Sequence, residues 1–330
     1  MSYESQPSYL REILLSSNKE TTFGAALGDG AMLYRPRFDG GIFARHGKEY
    51  YSDVNLSGKQ HPWPTVRKLI SEETGLSGAL DLDNFLAGWL AAFCLHKVAT
   101  AGGGPYTHTF TFEQATRIAP VTTVYTEDLA GIQRKWADMV ISSLTISGAE
   151  KGPLQAQFEM LGSGKFFADP VTLPALATPV YLIGNDTDIL IGAPSSAASI
   201  KERVRSWSFT FTNGVTHHRA PGGGLYSSFA KIGLQRVSVQ LVVAAKDTED
   251  IETLFLNDTL QELQVNTNSG ANAQLKIKIP NLRFIAEPSL DGLEKVWTLT
   301  AGEQDVTKGS ALELAEVVVI NDQATYLVAA

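Results

Sequence analysis

One unit of sequence occurs twice in this chain, and that repetition limits the folds open to it. The stretch Asp81–Glu113 reads as a helix, a glycine turn and a strand. Leu82, Phe85, Leu86, Trp89, Leu90 and Phe93 recur at helical spacing and form an apolar stripe, while Ala87, Gly88, Ala91 and Ala92 make the other side small enough for close approach. Gly102, Gly103 and Gly104 end that pattern. His108, Phe110 and Phe112 then alternate with Thr107, Thr109 and Thr111, the period of a strand with two unlike faces. From Lys246 to Ile279 the order returns. Asp247 is a good helix N-cap, Ile251, Leu254 and Phe255 form a shorter stripe, and a polar Gly/Asn turn leads to Leu275, Ile277 and Ile279 alternating with Gln274, Lys276 and Lys278. Asn84 matches Asp250 and His108 matches Gln274, each pair 166 positions apart, about half of the 330-residue chain. The spacing predicts one α+β module used twice.

The remaining segments are read as strands and turns. Tyr9–Leu15 suggests one or two helical turns within an N-terminal arm, and Gly41–Asn55 a hairpin turning at Gly47. Val121–Glu127, Met139–Ser147, Leu154–Leu161, Val204–Thr212 and Arg236–Val243 are β-rich, as are Leu282–Ala286, Lys295–Thr300 and Glu316–Ile320. Gly162–Ser199 is rich in proline and small residues, with a short strand expected at Val180–Ile183. The fold class expected is α+β, mainly β: two tandem β-sandwich or barrel modules, each with one flanking α-helix. The boundaries expected are an arm at 1–40, a first module at 41–165, a linker at 166–200 and a second module at 201–330.

Charge and motifs then narrow the function classes. The formal net charge of −8 argues against sequence-independent nucleic-acid binding and against an anionic membrane surface as partner. The single cysteine, Cys94, forbids an internal disulfide and fits a reducing compartment. The polar N-terminal stretch reads as intracellular and soluble. Gly162-Ser163-Gly164-Lys165 lacks the earlier glycine, the following Ser/Thr and the helix of a phosphate loop. Adjacent His217 and His218 point apart in an extended segment, and Asn185–Asp188 lacks the glycine and distal glutamate of a calcium loop. No catalytic, cofactor or metal set is expected, which favours a structural or binding protein over an enzyme. Several strands carry Ser, Thr or Gln instead of charge opposite their apolar side, which suits a face lining a channel or meeting a neighbour.

Three stretches resemble the bacteriophage tail tube (major tail) proteins. They are the helix followed by GGGPYTHTFTFE ahead of PVTTVYTED, then VISSLTISGAEKGPLQAQFEMLGSGK, and then VRSWSFTFTNG with LQRVSVQLVVAAKDTEDIETLFLNDT and LKIKIPNLRF. Together they cover most of residues 80–300. The resemblance implies strands lining a tube with the helix packed outside, and rings stacked into a conduit for double-stranded DNA. It implies assembly in the bacterial host cytoplasm around a tape-measure protein, with tail terminator and tail-tip proteins as partners in the virion. Two modules per chain would give homotrimeric rings of pseudo-sixfold symmetry, the alternative being hexameric rings. Alternation then offers Thr109, Thr111, Gln155, Gln157, Glu159, Ser208, Thr210 and Gln240 as candidate lumen positions, an outer or inter-subunit face being the alternative, with Lys276 and Lys278 on the matching face of the second copy. Ring stacking is expected at the loops holding Gly102, Gly103, Gly104, His217, His218, Gly222, Gly223 and Gly224, and at the terminal arms. A β-rich tail-tip, capsid-decoration or receptor- or carbohydrate-binding protein is the competing class.

Overall fold

The computed structural model describes residues 8–36, 42–55, 63–176, 178–220, 224–244, 259–291, 294–309 and 313–328. The first half supplies β1 (Ser8–Leu14), β2 (Ile42–Asn55), β3 (Trp63–Asp81), helix α1 (Asn84–Leu95), β4 (His96–Ala101), β5 (Tyr106–Phe112), β6 (Thr122–Asp128), β7 (Gln133–Ala149), β8 (Gln155–Gly162) and β9 (Phe166–Phe167). The rest supplies β10 (Thr187–Gly192), β11 (Ala198–Ser199), β12 (Val204–Thr212), β13 (Thr216–His218), β14 (Phe229–Lys231), β15 (Arg236–Ala244) and β16 (Gln261–Asn268). It ends with β17 (Gln274–Leu282), β18 (Ile285–Asp291), β19 (Glu294–Ala301), β20 (Val306–Thr307) and β21 (Glu316–Asn321). The protein is thus α+β and mainly β.

Two antiparallel sheets hold nearly all of these strands. The larger runs β18-β19-β15-β12-β7-β6-β1-β2-β3-β8, with β8 returning to pair with β7. The smaller runs β11-β10-β16-β17-β21-β5-β4, and β13–β14 is a separate hairpin. A single strand order recurs within the larger sheet. β2 pairs with β3, β3 with β8 and β8 with β7. Likewise β12 pairs with β15, β15 with β19 and β19 with β18. The hairpin β4–β5 is answered by β16–β17 in the smaller sheet. The two four-strand sets meet edge to edge, where Ser143–Ala149 of β7 pairs with Thr212–Ser206 of β12.

Helix α1 explains where the core sits. The Asp83 carboxylate accepts hydrogen bonds from the Phe85 and Leu86 amides at 2.9 and 2.8 Å, capping the first turn. His96, in the left-handed region at φ 72°, stops the helix. Every residue from Leu86 to Leu95 is buried, and the helix packs on β7 of the larger sheet and on β5 and β21 of the smaller. It therefore lies between the sheets, not outside them. The small residues permit this: a Cβ at Gly88 would lie 2.5 Å from the Tyr326 hydroxyl. Phe209, Phe211, Ile277 and Val319 belong to the same core.

Several local expectations change in three dimensions. Tyr9 to Leu14 lie in a strand, β1, because Leu10, Ile13 and Leu14 are buried while its backbone pairs with β6, and Leu15 bridges to Tyr34. Gly41–Asn55 does not turn at Gly47; β2 runs through Gly47 and pairs antiparallel with β3 on both sides of it. A strand follows the helix directly, β4, and its counterpart β16 was equally hidden in sequence. Val180–Ile183 forms only isolated bridges, and the strand in that region is β10. The long loop after β12 contains the β13–β14 hairpin. The second helix, expected from Asp247, lies outside the described residues.

Candidate functional site

The antiparallel register places side chains from both halves on one outward face of the larger sheet. Ser77, Glu159, Ser143, Thr212 and Arg236 lie side by side across five strands. The next row is Ala79, Gln157, Thr145, Thr210 and Ser238. A third row holds Asp81, Gln155, Ser147, Ser208, Gln240 and Thr300. Each of these is exposed or half-buried, whereas the alternate residues, among them Phe158, Phe209 and Leu241, are buried. Period-two alternation alone produces this division, because successive side chains of a strand leave opposite sides.

The face is polar and carries few unpaired cations. Arg236, the one basic residue in these rows, bridges to Glu303. Arg45, beside them on β2, lies 3.3 Å from Glu159. Across the joint between halves the Thr145 and Thr210 hydroxyls are 2.9 Å apart. A cleft of about 490 Å³ opens where β7 ends and β12 begins, lined in part by Lys151, Gln155, Trp207 and Gln240.

Six of the eight residues assigned to a lumen share this face: Gln155, Gln157, Glu159, Ser208, Thr210 and Gln240. Thr109 and Thr111 do not. They stand on the outward face of the smaller sheet, in register with Val318 and Lys276 and with Glu316 and Lys278. The two sheets pack through their inner faces into one core, so these two outward faces look away from each other. Lys276 and Lys278 thus lie apart from the Ser/Thr/Gln face, and Lys278 is paired with Glu262 at 3.1 Å. Sequence reading passed over Ser143, Thr145 and Ser147 as part of the same surface, although their alternation in Met139–Ser147 was visible. Ser77, followed by Gly78 and Ala79, gave no such signal.

The two groups of loop residues lie at opposite ends of the molecule. Exposed Gly102, Gly103 and Gly104 turn between β4 and β5 at the end where α1 begins, since Asn321 pairs with Tyr106 and its amide donates to Asn84 O at 2.8 Å. The β13–β14 hairpin carries His217 and His218 at the end where α1 stops, since Asn213 just before it donates to Cys94 O at 3.0 Å. Gly224 is exposed, and Gly222 and Gly223 lie outside the described residues. His217 packs 5.9 Å from the Phe23 ring, and burial lowers its basicity. The β2–β3 ribbon extends past the same end of the sheet, because Tyr50–Asn55 pairs with Trp63–Leu69 beyond the reach of β8.

Among the described residues no three His, Cys, Asp or Glu side chains converge on a metal site. Lys165 of the glycine-rich segment Gly162–Lys165 donates to Gly24 O. Among the described residues the larger sheet offers a polar outward surface and an open edge at β18, and the two ends of the molecule differ. No curated protein matches the chain. Residues 11–307 match the family described as phage tail tube protein. The chain therefore belongs to the phage tail tube protein family and is a structural component of the virion that self-assembles with other tail proteins.

Proposed function

We propose that three copies of this chain close into a ring of pseudo-sixfold symmetry, and that stacked rings form the conduit for double-stranded DNA ejection. The observation that carries this reading is the repeated strand order joined at β7 and β12. Each half contributes the same four-strand set, and the joint inside the chain is a pattern for the joint between chains. β18 is paired only on its β19 side among the described residues, and it is the counterpart of β7. An unpaired edge of this kind is a template for another strand, and continuous pairing around a ring removes it. Pro288 within β18 supplies no donor, which blunts the edge against indiscriminate partners.

The Ser/Thr/Gln face is the bore in this reading. Lysine and arginine contacts to phosphate release counterions and add affinity, so a conduit through which DNA must slide is better lined without them. The unlike ends meet between rings, with the Gly102–Gly104 turn of one ring near the β13–β14 end of the next. Assembly proceeds in the host cytoplasm around a tape-measure protein, and terminator and tail-tip proteins cap the tube. The test is the stoichiometry of isolated rings by native mass measurement and by class averages in projection. Three chains with six similar lobes are expected; six chains per ring, or rings with three unlike lobes only, overturn the proposal.

A further inference from the structure

The first strand of the chain sits on the edge that ring closure requires. β1 pairs with β2 at only two positions, Ser8 with Ala44 and Tyr9 with Phe43, before turning its register to β6 at Leu10. β2 is the counterpart of β12, and β12 uses the same outer edge from its third residue, Ser206, to meet β7. Ala44 is the third residue of β2. The edge that a neighbour's strand would enter is therefore already held by the chain's own β1.

We propose that β1 is an intramolecular edge cap, and that β18 of a second copy displaces Ser8 and Tyr9 from β2 when chains join. This rests on the ring reading above and adds how joining is restrained. The two-position contact is the shortest join in the circuit β7-β8-β3-β2-β1-β6 that closes part of the larger sheet on itself. Its replacement is favourable because the corresponding internal joint spans seven positions, from Ser143 to Ala149. Exposed charges lie on both strands: Glu287 on β18, and on β2 Glu49 with Arg45 and Lys48, which pair with Glu159 and Glu72 within the chain. Leu10–Leu14 remains on β6, so displacement costs the fold little. The cap protects a soluble chain from pairing at random, a known hazard of open edges.

The experiment uses the full chain with Tyr9→Cys and Phe43→Cys, which face each other across an antiparallel pair, where Cα separations suit a disulfide. The native Cys94 is fully buried and does not interfere. Oxidised protein is expected to remain monomeric in sedimentation and to give no rings in projection images, whereas reduction restores assembly. A second variant lacking residues 1–9 is expected to lower the protein concentration needed for assembly by roughly tenfold, the equivalent of about 1.4 kcal/mol. Rings formed equally well by the oxidised and reduced forms overturn the cap while leaving the ring itself intact. So does a folded truncated chain whose threshold is unchanged or higher. Absence of rings from every form, wild type included, removes the ring reading and the cap with it.

Discussion

Thr145 of the first half and Thr210 of the second face each other across the β7–β12 joint, with their hydroxyl oxygens 2.9 Å apart. One register thus continues from one half into the other without a break. The polar rows on either side belong to a single surface because of it.

If that surface is the bore, positive charge on it will grip what passes. Tubes carrying Gln157→Lys and Thr210→Lys should assemble as wild type, since both positions point outward. They should retain duplex DNA at low salt and release it as salt rises, because each added phosphate contact steepens the salt dependence. DNA passage indistinguishable from wild type would move the bore to another face.

The close approach of α1 to the chain's end predicts a steric lesion. A methyl group at Gly88 would meet the Tyr326 hydroxyl at 2.5 Å and its ring carbon at 2.6 Å. Tyr326 is nearly fully buried and is held by Asn321 at 2.9 Å and Phe85 O at 3.2 Å, so it has little room to yield. Gly88→Ala should destabilise by about 1–3 kcal/mol in chemical denaturation. Adding Tyr326→Ala should relieve part of the clash, giving a non-additive double-mutant cycle. Simple additivity would show that the two sites do not touch.

Asn213 ties the halves together at the other end. Its amide nitrogen shares two hydrogens among Cys94 O and His96 Nε2, both at 3.0 Å, and Ile141 O, while its carbonyl accepts from Val215 N at 3.0 Å. Asn213→Leu leaves several buried polar groups without partners and should cost about 2–4 kcal/mol. A loss below about 1 kcal/mol in urea unfolding would mean that the network is dispensable.

Stability should fall on the alkaline side of neutrality. Burial, and then the Asp138 carboxylate, push Glu20 up to about 8. Its Oε1 accepts from Thr123 and from the Asp138 amide, while Oε2 is buried without a partner. An unfolded glutamate ionises near ~4.3. Between those values the folded chain keeps a proton that the unfolded chain has lost, so stability declines as pH rises, by up to about 1.4 kcal/mol per pH unit. His96, lowered by burial to about 3, acts in the opposite sense below ~6.5, so the decline emerges from there up to about 8. Thermal melts from pH 6 to 9 should show this slope in wild type and its loss in Glu20→Gln. A flat wild-type profile would place Glu20 outside the titrating set.

The sequence alone determined the strand-rich α+β class and which side of most strands is apolar. Those are local properties: alternation in Val204–Thr212 or Leu154–Leu161 follows from the two-residue period of a strand, whatever its neighbours. Tertiary structure decided which strands are neighbours. Thr109 and Gln157 alternate alike in sequence, yet they lie on sheets that face apart, because sheet membership depends on pairing between distant segments. The same reason made β1 a strand, since its apolar residues close the core only with β6 alongside. It also set α1 between the sheets, because enclosure needs apolar surface on both sides, and the chain beyond residue 200 supplies much of it.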